Sequence, residues 1–253
     1  MYGMNDMATH NEVSGEFSPT MSKEVEAMLK AGVHLGHSKS KNHPAMQPYI
    51  FGVRNTIAII DLIKTEERLR KTLDFVRAIA SRGGMILFVG TRPGTRHELL
   101  ETAEKTGMPY FIERWIGGTL TNYKMISKRV EQMELLEKEK ETGGFDKYTK
   151  KERARLDDEI ARLKRFFDGL RKLKRMPDAV FVLDTTHDTT AVNEARKIKI
   201  PVIALCDSNS NINLIDYPIP SNDHALSAVK FMLHKIVEAM EEGTRQFIEK
   251  KTE

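Results

Sequence analysis

Two kinds of hydrophobic spacing alternate along the chain. Short apolar runs, typical of strands buried in a parallel sheet, occur at residues 85–89, 109–112, 179–183 and 200–206. Before, between and after these runs, apolar residues recur every three or four positions, as on one face of a helix. These helical segments are at residues 22–31, 66–82, 95–106 and 188–197, and a long last one begins at Asn222 or Asp223. The alternation predicts an α/β fold whose helices cover both faces of a parallel sheet, a three-layer arrangement.

The segment ahead of the first buried strand has the pattern of a small hairpin. Residues 33–44 mix glycine, histidine, lysine and serine without periodicity, and we expect a loop there. Residues 49–53 and 56–60 favour strands and flank a turn at Arg54 and Asn55. This arrangement predicts a β-hairpin.

The α/β alternation breaks between residues 124 and 175. Residues 124–141 and 150–175 carry apolar residues in a 4–3 spacing, and Gly143 and Gly144 turn the chain between them. The apolar positions are Ile126, Val130 and Met133 in the first segment and Leu156, Ile160, Leu163, Phe167 and Leu170 in the second. Heptad spacing of this kind predicts an antiparallel α-helical coiled-coil hairpin. A short hairpin buries little surface, so we expect it to protrude from the main domain and not to fold alone.

These patterns divide the chain into three parts. Residues 1–21 are polar and without periodicity, and are expected to form a flexible N-terminal tail. Residues 22–123 and 176–253 form the predicted α/β body, into which the hairpin of residues 124–175 is inserted.

Charge is concentrated in the predicted hairpin. The chain has 40 Lys and Arg and 36 Asp and Glu, a formal net charge of +4. Residues 124–175 hold 17 of the cations and 11 of the acids, net +6, so the rest of the chain is net −2. A localised basic excess favours contact with a polyanion such as RNA, although a solvated helical face has the same composition.

Several classes of protein are disfavoured by what the sequence lacks. Cys206 is the single cysteine, so neither a disulfide framework nor a thiolate zinc site is expected. The N-terminal residues lack the apolar core of a signal peptide, and no apolar run approaches the length that spans a bilayer. We therefore expect a cytoplasmic protein without a membrane partner.

An enzyme built on the parallel sheet would need a phosphate loop or a catalytic set. Residues 90–96, after the first buried strand, match neither the dinucleotide spacing GxGxxG nor the P-loop GxxxxGK[ST]. Glycine, threonine and arginine in this turn, at the start of a helix, could still hold an isolated phosphate through backbone N–H groups, and a tight turn without a ligand explains the segment equally well. The nucleophile motif GxSxG is also absent. A nucleotide-binding Rossmann-like enzyme is thus the disfavoured alternative, and no catalytic residue is predicted.

Polar residues at the predicted carboxyl edge of the sheet raise the question of a metal. Asp184 and Asp207 each end an apolar run, and His37 lies in a loop that could fold over that edge. Imidazole and carboxylate ligands suit a divalent cation such as zinc or magnesium. Helix capping by the aspartates and RNA contact by the histidine explain the same residues more simply. No cofactor is therefore required, and a metal site of His37, Asp184 and Asp207 is one hypothesis of two.

Groups suited to RNA are concentrated at residues 113–124, ERWIGGTLTNYK. This segment holds the only tryptophan, two glycines, hydroxyls, an amide and cations at both ends. Trp115 could pack in the core or stack on a base, and both interpretations stay open. Further cations lie in the predicted loops and at the end of the hairpin. The predicted RNA contacts are His37, Lys39, Lys41, Asn42, Arg54, Asn55, Arg92, Arg96, Arg114, Trp115, Thr119, Asn122, Lys124, Arg171, Lys172, Lys174 and Arg175.

Six motifs occur in a fixed order over residues 22–245. They are AGVHLGH at 31–37, YIFGVRN at 49–55, LFVGT at 87–91, RWIGGTLTN at 114–122, MPDAVFV at 176–182 and DYPIPSND at 216–223. In this order they resemble the successive signatures of the S-two family of bacterial small-subunit ribosomal proteins. Each motif is moderately specific alone, and the ordered set is highly specific.

The resemblance implies a non-enzymatic, structural constituent of the small ribosomal subunit that acts in translation. It implies a flavodoxin-like or Rossmann-like body with a protruding coiled-coil hairpin. The implied partners are small-subunit rRNA and neighbouring small-subunit proteins, including the large OB-fold protein that captures mRNA, which the family helps to anchor. A coiled-coil adaptor that binds only protein is a third hypothesis and could coexist with the first.

Overall fold

The computed structural model describes residues 22–252, so the predicted flexible tail at residues 1–21 lies outside the described residues. The strands are β1 Leu35–Ser38, β2 Ile50–Arg54, β3 Ile57–Ile60, β4 Ile86–Val89, β5 Tyr110–Phe111, β6 Ala179–Val182, β7 Val202–Cys206 and β8 Tyr217–Pro220. The α-helices are α1 Lys23–Ala31, α2 Leu62–Ala80, α3 Arg96–Thr106, α4 Tyr123–Glu141, α5 Lys150–Phe167, α6 Thr189–Lys197 and α7 Leu226–Thr252. None of these helices is both long enough and apolar enough to cross a membrane.

Five strands form a parallel sheet in the order β5-β4-β6-β7-β8. Numbered within this sheet alone, the order is 2-1-3-4-5, which is that of the flavodoxin-like doubly wound folds. Every residue of β4, β6 and β7 is buried, as expected for strands covered on both faces. The predicted α/β class with a parallel sheet is confirmed.

The alternation of side chains along the central strands builds a core on each face of the sheet. Phe88 and Phe181 point to one face, with ring centroids 5.3 Å apart, and pack among residues of α1, α2, α3 and α7. Leu87 and Val180 point to the other face, where they pack among residues of α4, α5 and α6. Burial of apolar surface on both faces is the dominant stabilising contribution to such a sheet.

β8 is a strand that the hydrophobic pattern does not predict. Pro218 and Pro220 interrupt the usual strand signal, because proline has no backbone N–H to donate. Proline is nevertheless tolerated at a sheet edge, and β8 pairs only with β7, Ile203 lying opposite Tyr217. The residues that follow β8 therefore reach the same edge of the sheet as Asp207, which follows β7.

A second, antiparallel sheet has the order β1-β3-β2. The predicted hairpin of β2 and β3 is present, with Asn55 and Thr56 at φ values of 48° and 66° in its turn. The expectation of a loop over residues 33–44 is wrong where β1 forms. Gly36 permits this strand, since a Cβ there would lie 2.9 Å from the Ser208 hydroxyl oxygen. The close approach brings His37, the next residue, to the carboxyl edge of the parallel sheet.

Two helices begin elsewhere than the sequence predicts. α2 starts at Leu62 and not after Thr65, because the Asp61 carboxylate accepts hydrogen bonds from the N–H groups of Ile63 and Lys64. The Thr65 hydroxyl lies inside the helix and contacts the carbonyl oxygen of Pro220 at 2.7 Å. α7 starts at Leu226, a few residues after its predicted start.

Helices α4 and α5 occupy the insertion between β5 and β6. They pack against each other, and cross-helix ion pairs join Lys140 to Asp157 and Lys164 to Glu137. Their buried apolar residues belong to the same cluster as those of β4 and β6. The pair therefore shares one core with the sheet. Its coiled-coil geometry, its protrusion and the division into body and hairpin stay predictions.

α5 ends at Phe167, eight residues before the predicted end at residue 175. A 3-10 turn, Asp168–Leu170, follows it. Gly169 in this turn lies directly against β5, where an added Cβ would be 2.3 Å from the carbonyl oxygen of Tyr110. The absence of a side chain at Gly169 thus lets the chain return to the sheet beside the strand from which it departed.

An ion-pair group holds the end of α5 to α4. The Glu137 carboxylate accepts from Arg171 at 2.7 Å and lies 3.0 Å from the Lys164 ammonium. The hydrogen bond from Arg171 is the main reason that the pKa of Glu137 is lowered from 4.5 to about 2. Arg171 also pairs with Asp168 at 2.7 Å. Arg171 is therefore occupied by two carboxylates of its own chain.

Substituting Gly169→Ala should destabilise the chain by about 1–3 kcal/mol, because the new methyl group overpacks against the Tyr110 backbone. Urea unfolding followed by circular dichroism measures the loss. Gly94→Ala is the matched control, since a Cβ there has no neighbour within 4 Å. Equal stability of the two variants would contradict the close approach.

Substituting Glu137→Gln should lower the melting temperature at neutral pH, because it removes the anion that pairs with Arg171 and Lys164. A carboxyl with a depressed pKa stabilises the fold above its unfolded pKa and loses that effect as pH falls through its folded pKa. The difference from the unsubstituted chain should therefore shrink as pH falls from about 4.5 towards about 2. Glu141→Gln, at an exposed position on the same helix, is the control. A difference that does not change with pH would refute this role of Glu137.

Candidate nucleic-acid interface and carboxyl-edge cluster

Residues 113–124, the segment predicted to contact RNA, form the connection from β5 to α4. Trp115 is partly buried, and its ring packs on Phe111 with centroids 5.0 Å apart. Its indole N–H donates to the Glu194 carboxylate at 3.1 Å. The structure therefore places Trp115 against the core, with its only polar atom already hydrogen-bonded.

Glu194, on α6, holds this connection in place. One carboxylate oxygen accepts from the Trp115 indole and from the Gly118 N–H at 2.7 Å. The other accepts from Leu120 N–H at 3.0 Å, Thr121 N–H at 3.1 Å and the Thr121 hydroxyl at 3.2 Å. Five donors thus converge on a carboxylate whose residue is only 8% exposed. Backbone N–H groups arranged in this way form an anion-binding concavity.

The charge state of Glu194 follows from these contacts. Burial alone would raise the pKa of Glu194, but the hydrogen bonds from Gly118, Thr121 and Trp115 outweigh burial and lower it. The carboxylate is therefore ionised at neutral pH. Since its donors include the backbone of the loop, those N–H groups are not free to bind an RNA phosphate.

The other side chains of the connection divide into buried and exposed groups. Thr119 is fully buried, and its hydroxyl donates to the Ile116 carbonyl at 2.6 Å, so it shapes the turn and does not face solvent. Arg114, Asn122 and Lys124 are exposed. Gly118 adopts a φ of 92°, a conformation that favours glycine. The connection thus presents two cations and an amide around a fixed turn.

The predicted RNA-contact cations fall into two groups in the structure. One group makes ion pairs or hydrogen bonds with the chain's own acids: Arg92 with Asp184, Arg96 with Glu113, Arg171 with Glu137, Lys174 with Glu134 and Arg175 with Asp178. The other group is exposed and has no ion pair within residues 22–252: Lys39, Lys41, Arg54, Arg114, Lys124 and Lys172. Only the second group offers a cation without first giving up an internal partner.

The polar residues at Asn42 and Asn55 also differ in their surroundings. Asn55 is exposed at the tip of the β2–β3 hairpin, next to Arg54. Asn42 is partly buried, and its side-chain oxygen has no hydrogen-bond partner among the described residues. The tip of the β2–β3 hairpin therefore exposes a cation and an amide, whereas Asn42 ends the 3-10 turn Lys39–Lys41.

The crevice where a doubly wound fold usually binds its ligand is filled by side chains. In this strand order the crevice lies at the carboxyl ends of β4 and β6. The Thr91 N–H, which could hold a phosphate, donates to Asp188 at 3.1 Å, and the Thr91 hydroxyl donates to the same carboxylate at 2.7 Å. Arg92 pairs with Asp184 across the same crevice at 3.0 Å. The chain's own carboxylates thus take the positions of a nucleotide phosphate.

Burial and charge act differently on the two aspartates of this crevice. Burial raises the pKa of Asp188. Burial would do the same to Asp184, but hydrogen bonds from the N–H of His187 and from Thr186, together with the charge of Arg92, lower its pKa. Asp184 is therefore ionised and paired with Arg92. Its carboxylate is already occupied by partners within the chain and is not free to bind a metal.

The predicted metal set is brought together only in part. The His37 Nδ1 and Asp207 Oδ2 atoms lie 3.1 Å apart. The third group beside them is His224 and not Asp184, and the nearest ligand atoms of His37, Asp207 and His224 lie within 4.8 Å of one another. The His37 and His224 rings meet edge to face, with centroids 4.4 Å apart. The structure thus replaces one carboxylate of the predicted set with an imidazole.

Neighbouring groups determine the state of His224. Burial and the charge of Arg92 lower the pKa of His224, which favours the neutral ring. Arg92 contacts both ring nitrogens of His224, Nδ1 at 2.7 Å, and Nδ1 also contacts the Asp223 carboxylate. The adjacent Asp223 is buried, and burial together with the charges of Asp184 and Asp207 raises its pKa. Its Oδ2 atom makes no hydrogen bond within the described residues.

Glu194, Asp188 and His224 are the residues that the sequence analysis misses. A signal for Glu194 exists, because Ala191 and Ala195 mark the buried face of α6, and position 194 lies on that face. Asp188 lies in the turn before α6 and has no such pattern around it. His224 follows β8, and its place at the sheet edge cannot be inferred while the prolines hide that strand.

The family model and the relatives that match this chain all name the same ribosomal protein. A family model described as Ribosomal protein S2 matches residues 28–243. The chain is 46% identical over 214 residues to the small ribosomal subunit protein uS2 of Thermus thermophilus in two strains, covering 85% of this chain and 84% of the relative. It is 43% identical over 219 residues to the protein of the same name from Endomicrobium trichonymphae, covering 87% and 90%.

Proposed function

The chain belongs to the ribosomal protein S2 family, and on that premise we propose that it binds small-subunit rRNA as a structural constituent of the small ribosomal subunit. The family is a structural, non-enzymatic class. In bacteria its members act in translation as cytoplasmic components of the subunit. Neighbouring small-subunit proteins are partners in the same assembly.

The set of exposed, unpaired cations is the observation that carries the rRNA proposal. Arg114 and Lys124 flank a turn held by Glu194, Arg54 lies at a hairpin tip, and Lys39 and Lys41 lie in one 3-10 turn. Cations on several separate elements suit the phosphates of a folded RNA better than those of a small nucleotide. The filled crevice at Thr91 argues in the same direction against a nucleotide-binding enzyme.

We propose that α4 and α5 form a coiled-coil hairpin that extends the RNA-contact surface beyond the sheet. The apolar spacing of the two helices and their cross-helix ion pairs support this proposal. Their outward-facing charges would meet RNA, while the shared core anchors their base to the sheet. A role as an adaptor for protein partners alone finds no specific support in this arrangement.

The antiparallel sheet is our proposed site for a protein partner. Phe51 is 75% exposed, and Val53, two residues further along the same strand, is 46% exposed. Ile63, at the start of α2, is 73% exposed. Grouped apolar side chains on a surface mark protein interfaces. We assign this surface to the large OB-fold protein that captures mRNA.

A divalent cation at His37, Asp207 and His224 is a second proposal. Ligands about 2.0 Å from a tetrahedral zinc ion lie about 3.3 Å from one another, close to the 3.1 Å between His37 Nδ1 and Asp207 Oδ2. Neither of these buried atoms makes a hydrogen bond, and the nearby Asp223 Oδ2 makes none either. Two imidazoles favour zinc over magnesium. A bound ion would tie β1 to the ends of β7 and β8.

Replacing Arg114 and Lys124 by glutamine should weaken binding to small-subunit rRNA and flatten its salt dependence. Each lost phosphate contact lowers the slope of log K against log salt by about 1. Filter binding across a salt series measures both effects. The double variant of Lys174 and Arg175 to glutamine removes equal charge from paired positions and should change binding less. Equal effects of the two double variants would contradict the distinction between free and paired cations.

The purified chain should take up about one zinc ion, and its melting temperature should rise with zinc concentration, since a ligand that binds only the folded state stabilises it. Equilibrium dialysis and thermal unfolding measure these effects. Asp207→Asn and His224→Ala should abolish uptake, whereas Asp184→Asn should retain it because Asp184 is paired with Arg92. Loss of uptake in Asp184→Asn alone would restore the set predicted from sequence, and no saturable uptake by the unsubstituted chain would end the proposal.

A further inference from the structure

We propose that Glu194 is a positioning residue, which holds the connection from β5 to α4 in the one conformation that presents Arg114, Asn122 and Lys124 to RNA. The inference rests on the proposed rRNA binding. Glu194 itself does not touch RNA, since its carboxylate is enclosed by the connection. It acts through the backbone and side chains that it holds.

The contacts of Glu194 span the whole turn. They begin at Trp115, continue through Gly118 and Leu120, and end at Thr121. Arg114 precedes the first contact by one residue, and Asn122 follows the last by one residue. The exposed groups therefore lie at both ends of the segment that Glu194 holds. We call the five hydrogen bonds accepted by Glu194 the clamp. Without the clamp, a turn with two glycines has many conformations, and the entropic cost of ordering it on RNA would reduce affinity.

The support for Glu194 is rigid. Ala191, Val192 and Ala195 on the same helix are at most 1% exposed and pack in the core beneath the sheet. The buried neighbours on α6 therefore fix the backbone of Glu194, and the five donors fix its carboxylate. Glu194 can therefore keep Arg114, Asn122 and Lys124 in a fixed place relative to the sheet.

The clamp requires an anion with two accepting oxygens. All five groups around Glu194 donate, and both carboxylate oxygens accept at least two hydrogen bonds. A glutamine amide has a single acceptor oxygen, and its NH₂ group would face the N–H donors of the turn. Glu194→Gln should therefore release the turn, although the glutamine side chain has almost the same shape as glutamate. Glu194→Asp keeps the anion and should retain part of the clamp.

The occupied concavity also determines how this segment can meet RNA. The N–H groups of Gly118, Leu120 and Thr121 would suit an RNA phosphate if they were open. Glu194 takes that position from within the chain. Contact with RNA at this segment is thereby left to the flanking side chains, which depend on the clamp for their placement.

The single tryptophan makes the clamp directly observable. Trp115 donates to Glu194, so its fluorescence reports on the clamp without interference from another tryptophan. In Glu194→Gln we expect altered Trp115 emission and a loss of rRNA affinity on the order of tenfold at fixed salt. Val192→Ala on the same helix is the control for lowered stability, because it leaves the five hydrogen bonds in place.

Chemical rescue separates an anion requirement from a general loss of packing. Formate added to Glu194→Ala should occupy the vacated concavity and restore both the Trp115 emission and part of the rRNA affinity. Sodium chloride at the same ionic strength serves as the control, since salt alone weakens RNA binding. Glu194→Asp keeps the comparison usable should the glutamine or alanine variant fail to fold.

Three results would overturn the inference. They are rRNA affinity in Glu194→Gln equal to that of the unsubstituted chain, equal losses in Glu194→Gln and Val192→Ala at matched stability, and no effect of formate on either signal. An unsubstituted chain that itself fails to bind rRNA would refute the proposed function, and this inference with it. The binding of the unsubstituted chain thus distinguishes the two failures.

Discussion

The insertion between β5 and β6 must leave the parallel sheet and return to it at nearly the same place, and the other features depend on this closure. β4 lies between β5 and β6, so any mismatch at the ends of the insertion would separate the central strands. The closure is made by backbone contact and not by charge alone. Gly169 lies against the Tyr110 carbonyl, and the Tyr123 hydroxyl donates to the Leu173 carbonyl.

Carboxylates complete the closure from within the chain. Glu113 pairs with Arg96 of α3 at 2.8 Å and with Arg165 of α5 at 3.3 Å, which joins the body to the insertion. Ion pairs at a protein surface contribute about 0–1 kcal/mol each. Their main effect here is on orientation, and they also lower the number of cations that are available to a partner. The net charge of the insertion therefore overstates its attraction for RNA.

Features that depend on local sequence pattern could be predicted, and features that depend on long-range contact could not. The central strands β4, β6 and β7 follow from their apolar runs, because burial on both faces leaves no other composition. The early end of α5 depends on the contact of Gly169 with a strand about 60 residues earlier, which no local spacing reveals. β8 was hidden by its prolines, and with it the position of His224. Glu194 was visible only as an acid on an apolar helical face, whose partners lie more than 70 residues away.

The shared core of the helical pair and the sheet has a consequence for how the chain folds. Residues 112–178, 67 positions, separate β5 from β6, and closing so long a flexible loop carries an entropic cost. α4 and α5 contact each other across only eight residues, 142–149, so they can pair early and locally. Pairing of the two helices would shorten the effective loop between β5 and β6, which lowers the entropic cost of bringing β6 to β4. The pairing of α4 and α5 thus makes β6, which is distant from β5 along the sequence, cheaper to bring to β4 in terms of loop-closure entropy.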